Sequence, residues 1–143
     1  MKFEDEGDPI ALYVIINEEL NIGGGKIGGA CGHIVEKIMD RYYRFVVREE
    51  VAAATNTKYQ PDAKTIERAN IIREWKNHGS RKITLKADSK EQEKLKEEFG
   101  EDLFFVQDAG HTQCAPGSIT AYGVWPMRKS NRPKILKRLQ AQE

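Results

Sequence analysis

Residues 103–120 of this 143-residue chain read LFFVQDAGHTQCAPGSIT. The apolar run Leu103–Val106 gives way at once to Gln107 and Asp108, then to the small pair Ala109 and Gly110, then to His111, Thr112, Gln113 and Cys114. Each of those last four side chains accepts, donates or exchanges protons. Pro116 and Gly117 mark a turn, and Ser118–Thr120 opens a second strand-like run. Ligands of α/β proteins sit in crevices outside the carboxyl ends of strands. A dense polar loop directly after an apolar strand is therefore the best candidate site, with an ordinary strand connection as the alternative.

A second segment, Asn21–Ala30, reads NIGGGKIGGA. Gly23, Gly24 and Gly25 leave peptide N–H groups uncovered, and Gly25 is a candidate contact for a bound substrate. Lys26, Asp108 and Thr112 make the most economical polar constellation across the two segments. Asp108 can hold or deprotonate a water. Lys26 can orient that carboxylate and stabilise developing negative charge on oxygen. Thr112 can position the water or the scissile group. A plain ion pair between Lys26 and Asp108, with Thr112 capping the loop, is the other reading. His33 suits a ribose or phosphate contact, or a satisfied place in a helix groove. His111 suits proton donation or an RNA contact, or simple exposure, and Gln113 suits a sugar or base edge, or turn stabilisation. Cys31 and Cys114 lack a recognisable activating partner, so packing is the preferred role for both. The phosphate-loop pattern GxxxxGK[ST] fails because Ile27 follows Lys26, which argues against ATP or GTP hydrolysis.

The elements that position these residues follow from periodicity. Met1–Pro9 is expected to be a loose arm. Ile10–Ile16 is nearly all apolar and predicts a central strand covered on both faces. A helix is expected from about Lys26, its stripe being Ile27, Cys31, Ile34, Ile38, Tyr42 and Phe45. Val51–Ala54 can extend it, and Thr55–Thr57 should end it. Pro61 and Asp62 start another helix, with Ile66, Ala69, Ile72 and Trp75 or Lys76 inward. Lys82–Lys86 alternates as a short strand. Asp88 or Ser89 can cap the next helix, and Ser89 with Gln92 fits a capping box; that helix buries Leu95 and Phe99 and stops at Gly100. Its excess of acids argues against an RNA-facing surface. Leu103–Val106 and Ile119–Val124 supply two more strands, and a final basic helix begins near Asn131 and Pro133 with Ile135, Leu136 and Leu139 inward. This order predicts an α/β fold, one small mixed sheet with helices on both faces.

Composition bounds the rest. The length suits one domain with a real core. The net charge of +1 conceals an acidic start, with four acids against Lys2 in Met1–Asp8, and a basic end, Arg128, Lys129, Arg132, Lys134, Lys137 and Arg138 against Glu143. That end suits phosphate or a solvated helix face. Two cysteines without CxxC and scattered histidines disfavour a zinc site and fit a reduced cytoplasmic setting. The acidic N-terminus is no signal peptide, and no stretch approaches the apolar length of a membrane helix.

Taken together the motifs are specific. Gln107–Ser118, QDAGHTQCAPGS, is similar to QDAGRTQIAPGS of the archaeal and eukaryotic type of peptidyl-tRNA hydrolase, the Pth2 family. Gly23–His33, GGGKIGGACGH, resembles that family's GKGKIAAQCSH, and Val124-Trp125-Pro126 follows in the place of IGP. The likeness covers roughly Ala11–Met127 apart from an altered middle near Arg48–Ile66. It implies a compact three-layer α/β sandwich with a mixed four-stranded sheet, often dimeric, that hydrolyses the ester joining peptide to tRNA. The family's catalytic lysine, aspartate and threonine fall on Lys26, Asp108 and Thr112, and its histidine falls on His33 in a tRNA-facing cleft. No metal or organic cofactor is implied. Gly24 stands where the family has the first lysine of GKGK, Ala30 and Gly32 replace a glutamine and a serine, and His111 replaces an arginine that resembles a tRNA contact. With the trio intact a divergent enzyme is preferred. A non-catalytic tRNA-binding or regulatory protein, or a hydrolase of another small ester or amide, are the competing readings.

Overall fold

The computed structural model describes residues 7–55, 61–107 and 117–142. Its centre is strand β1 (Ile10–Asn17), in which Ala11 to Ile16 are all buried. The strand alternates between two cores. Leu12, Val14 and Ile16 pack with Ile34, Ile38, Ala69, Ile72 and Trp75 on one side. Ala11, Tyr13 and Ile15 pack with Leu95, Ile135 and Leu136 on the other. A strand covered on both faces reads as a continuous apolar run for this reason.

β1 pairs in parallel with β2 (Lys82–Ala87), matching Leu12 to Lys82 through Asn17 to Ala87. On its other side it pairs antiparallel with β4 (Ile119–Gly123), which pairs with β3 (Phe104–Gln107). These are the four expected strands. Two short additions enlarge the expected four-stranded sheet to six: β5 (Met127–Arg128) on β1, and β6 (Gln140–Ala141) on β2. Two residues are too short to carry an alternating pattern, so neither strand has a sequence signal. Near the start of β1, Asp8 accepts hydrogen bonds from the Ser130 amide (2.7 Å) and hydroxyl (2.6 Å), which hold its carboxyl below the usual range.

Helix α1 (Gly24–Arg41) starts two residues before the expected Lys26, capped by Gly23 in extended backbone. It buries Ala30, Ile34 and Ile38. The expected stripe then breaks. Tyr42–Val46 is a π-helical turn, in which the Val47 amide reaches the Tyr42 carbonyl. The extra residue in that turn slips the buried face by one position. Val46 is buried in place of Phe45, which is 59% exposed. The chain continues as α2 (Val47–Thr55). In α3 (Ala63–Asn77) the Asp62 side chain caps the helix through the Thr65 amide, and Ala69, Ile72 and Trp75 are buried; Ile66 is exposed. The box that starts α4 (Ser89–Phe99) is Asp88 with Glu91, one residue earlier than Ser89 with Gln92. Gly100, at φ 53°, ends it as expected. The expected basic terminal helix is only α5 (Lys134–Arg138), because Leu139 turns inward and the chain pairs as β6. Among the described residues no helix is long and apolar enough to cross a membrane.

α1 is seated on the sheet at Gly123. A Cβ there would lie 2.2 Å from Cγ2 of Ile34. That distance is far inside van der Waals contact, and Ile34 is fully buried with no free direction to move. Gly123→Ala should therefore destabilise the fold by about 1–3 kcal/mol through overpacking. A urea midpoint equal to that of the parent would show that Ile34 yields without cost.

Candidate functional site

One end of the sheet gathers the segments that the sequence singles out. β1 ends there at Asn17, its parallel neighbour β2 at Ala87, and β3 at Gln107, while β4 begins there at Ile119. From Asn17 the chain makes a 3-10 turn over Glu18–Leu20 and passes Asn21 in the left-handed region (φ 47°) before α1 begins. Lys26 lies half-buried in the first turn of α1, three residues beyond the Gly23 cap, with Gly25 exposed beside it. His33 is exposed two turns further along the helix. Asp108, His111, Thr112, Gln113 and Cys114 lie outside the described residues.

The two roots of the segment 108–116 are firmly held. Gln107 pairs with Ile119 beyond an irregularity at Val106/Gln107. The buried Thr120 hydroxyl donates to the Val106 carbonyl at 3.2 Å, and the Gln107 amide side chain reaches the Gly117 carbonyl at 3.5 Å. Gly117 has φ +84°, a conformation open to glycine. Across the sheet, Asn17 Nδ2 donates to the Ile119 carbonyl at 2.8 Å.

Asn17 is itself fixed. Its Oδ1 accepts from Gln92 Nε2 at 2.7 Å and from the Glu19 amide at 3.0 Å. Gln92 Nε2 also donates to the Ala87 carbonyl at 3.1 Å, and Tyr122 Oη donates to Gln92 Oε1 at 2.9 Å. Gln92 and Tyr122 are buried. Burial pushes the Tyr122 hydroxyl above its ordinary pKa, so it remains a neutral donor. One chain of hydrogen bonds, buried at Gln92 and Tyr122 and half-buried at Asn17, thus joins β4, α4, β2 and β1 beneath the loop roots. Sequence reading missed Asn17, Gln92, Thr120, Tyr122 and Gly123. A signal existed for Gln92: it shares a helical stripe with Leu95 and Phe99. A polar residue on an apolar stripe is buried only with partners.

Cys31 is half-buried, its Sγ 3.9 Å from the Thr84 hydroxyl on β2. Burial pushes its thiol up, so it is not an activated nucleophile, in keeping with a packing role. A groove of about 410 Å³ beside the site is lined by His33, Glu36, Lys37, Val106 and Gln107. A separate cavity of about 360 Å³, with Arg68, Phe99 and Trp125 in its walls, lies at the other end of the sheet, beyond the end of β4. Of the sequence-predicted site residues that are described, Gly25, Lys26 and His33, none lines it.

A family profile described as Peptidyl-tRNA hydrolase PTH2 matches residues 10–141. The chain belongs to the PTH2 family. A probable peptidyl-tRNA hydrolase 2 of Dictyostelium discoideum is 28% identical over 98% of this chain and 58% of its own length. The peptidyl-tRNA hydrolase of Methanocaldococcus jannaschii is 27% identical over 90% of this chain and 96% of its own. A probable peptidyl-tRNA hydrolase 2 of Caenorhabditis elegans is 30% identical over 80% of this chain, which spans 31% of that longer protein. The PTH2 match takes in Asn17, Lys26, Gln92 and Tyr122 together with the segment between β3 and β4.

Gln92→Leu keeps the volume but strips partners from Tyr122 Oη, Asn17 Oδ1 and the Ala87 carbonyl. It should lower stability by about 2–4 kcal/mol, against about 1–2 for Tyr122→Phe. Urea unfolding monitored by Trp fluorescence reads both, and equal midpoints for parent and Gln92→Leu would show that the buried chain holds nothing.

Proposed function

We propose that this chain hydrolyses the ester bond of peptidyl-tRNA, releasing peptide and reusable tRNA. The observation that supports this most is the PTH2 match across residues 10–141. The setting of Lys26 agrees with it: an amine in the first turn of α1, the helix that follows the end of β1.

In this reading Asp108 holds a water and removes its proton. The water oxygen bonds to the ester carbonyl carbon, and the ribose oxygen leaves and takes a proton back. Lys26 orients the Asp108 carboxylate and stabilises the oxyanion, and Thr112 directs the reacting group. Gly25, His33, His111 and Gln113 contact the substrate. No metal or organic cofactor takes part. The same reading takes residues 10–143 as a single domain with 1–9 as its arm, arranged as a three-layer sandwich, a homodimer in the cytoplasm. A tRNA-binding protein without turnover is the second reading, favoured by Gly24 and His111 standing where the resembling motifs have cations.

Purified peptidyl-tRNA decides between them. Turnover should persist in EDTA. It should fall about 10²–10⁴-fold in Asp108→Ala, about 10²–10³-fold in Lys26→Ala and about tenfold in Thr112→Ala, each with an unchanged melting midpoint. Full activity in folded Asp108→Ala protein would overturn the mechanism. Salt-sensitive tRNA binding by the parent with no peptide release would establish the second reading.

A further inference from the structure

The groove that begins at Gln107 does not stop there. Lys37 belongs both to its upper part, with His33 and Val106, and to a lower part of about 290 Å³ bounded by Asp40, Arg41, Arg44, Phe45, Phe104 and Phe105. It runs between α1 and β3, the outermost strand on that side of the sheet. Its cations, Lys37 and Arg41, come from one face of the helix, in line with His33. The three are four residues apart, a rise of about 6 Å at each step.

How these cations are held is informative. Lys37 Nζ donates to the Phe105 carbonyl at 2.8 Å and lies 5.4 Å from the centre of the Phe105 ring. Arg41 donates to the Glu101 carbonyl at 3.3 Å and stacks 4.5 Å over Phe104. Among the described residues neither meets a carboxylate. Arg44 does, pairing with Asp40 at 3.0 Å, and Glu36 stands at the wall of the upper part. Carbonyls and aromatic faces hold Lys37 and Arg41 in place without cancelling their charge. Two aromatic side chains are also open in the lower part: Phe105 is 42% exposed and Phe45 is 59% exposed. Phe105 lies two residues from Gln107, roughly 7 Å along the strand.

Uncancelled cations spaced along a groove, with aromatic faces between them, are the means by which proteins hold single-stranded nucleic acid: charge follows the backbone and rings stack the bases. We propose that this groove seats the unpaired nucleotides through which tRNA presents its esterified terminal ribose, with Lys37 and Arg41 on phosphates and Phe105 under a base. The proposal rests on the peptidyl-tRNA reading and gives the RNA a direction, along α1 from Arg41 towards Lys26. It also assigns the basic C-terminal segment no part in RNA binding.

The probe is an acceptor-stem RNA hairpin, made with and without its unpaired 3′ nucleotides, and titrated across a salt series. Lys37→Gln with Arg41→Gln should weaken binding of the tailed hairpin and flatten its log Kd against log salt slope by about 1.4, two single-strand contacts. Phe105→Ala should weaken the tailed hairpin about tenfold, one lost stack, and leave the tailless hairpin unchanged. Lys37→Arg should bind as the parent does. Lys134→Gln with Lys137→Gln and Arg138→Gln should also bind as the parent does. Melting midpoints check that each variant is folded. On peptidyl-tRNA the groove variants should raise KM and keep kcat. Parent-like binding by the Lys37/Arg41 and Phe105 variants, in a protein that does hydrolyse peptidyl-tRNA, overturns this inference alone. So does a loss carried by the C-terminal variant, or a KM effect that follows peptide length and places the peptide in the groove. A parent protein that neither binds the hairpin nor releases peptide overturns the functional reading and this inference together.

Discussion

The position of α1 depends on a missing methyl group. Ile34 occupies the space that a side chain at 123 would fill, and this lets the helix axis approach β4 closely. The contact matters because α1 has little intrinsic stability. Five of its 18 residues are glycine, and a Cβ added at any of Gly24, Gly25, Gly28, Gly29 and Gly32 would meet nothing within 4 Å. Each interior glycine costs roughly 0.5–1 kcal/mol relative to alanine. Propensity therefore works against this helix, and burial of Ala30, Ile34 and Ile38 must outweigh it. The same seat sets where Lys26 stands above the sheet end. It also fixes the line of Lys37 and Arg41 along β3.

A second constraint acts from beneath. Polar groups at the end of a buried strand must find partners, and Asn17 finds them on both sides of the sheet. Its amide satisfies the Ile119 carbonyl, and its carbonyl is satisfied by Gln92, which is in turn oriented by Tyr122. Each member has one geometry in which all its partners are met. These bonds tie the loop root at Ile119, with its partner Gln107, to the end of β1, while α1 packs against β4 at Gly123. The two segments bearing the candidate groups are thereby referenced to the same two strands. Precision at a catalytic site comes from such supports more than from the reacting groups themselves.

Much of this was legible in the sequence, for physical reasons that differ by element. β1 announced itself because burial on both faces leaves no polar position in Ala11–Ile16. The first four turns of α1 followed from their apolar period, and Gly100 from its place as a helix stop. The π turn did not, because the residues of Tyr42–Val46 fit an α-helical stripe equally well, and only packing selects Val46 over Phe45. The box at Asp88 was missed because Asp88 and Ser89 are both good caps, and the register is decided by Gln92 being required inside. β5 and β6 are products of neighbouring backbone, Ile10 and Lys86, with no pattern of their own. At the candidate site, the side chains suited to chemistry are recognisable by type, but Gly123 and Asn17 act through distance and hydrogen bonding that no local spacing encodes.

The charge distribution completes the picture. A net charge of +1 suggests little attraction to a polyanion, yet net charge is an average over the whole surface. Within the screening length of about 10 Å at moderate salt, only nearby charges count. On α1 the groove side presents Lys37 and Arg41, held by carbonyls and rings, while the acids of α4 lie across the sheet on the other core. The sheet separates them. A protein can in this way be close to neutral overall and still carry a positively charged stretch, because the α1 face bearing Lys37 and Arg41 and the acids of α4 belong to helices packed on different cores. Gly24 and His111 stand where the resembling motifs have cations, and on the same helix as Gly24 the positive charge is instead carried further along, by Lys37 and Arg41 beside β3.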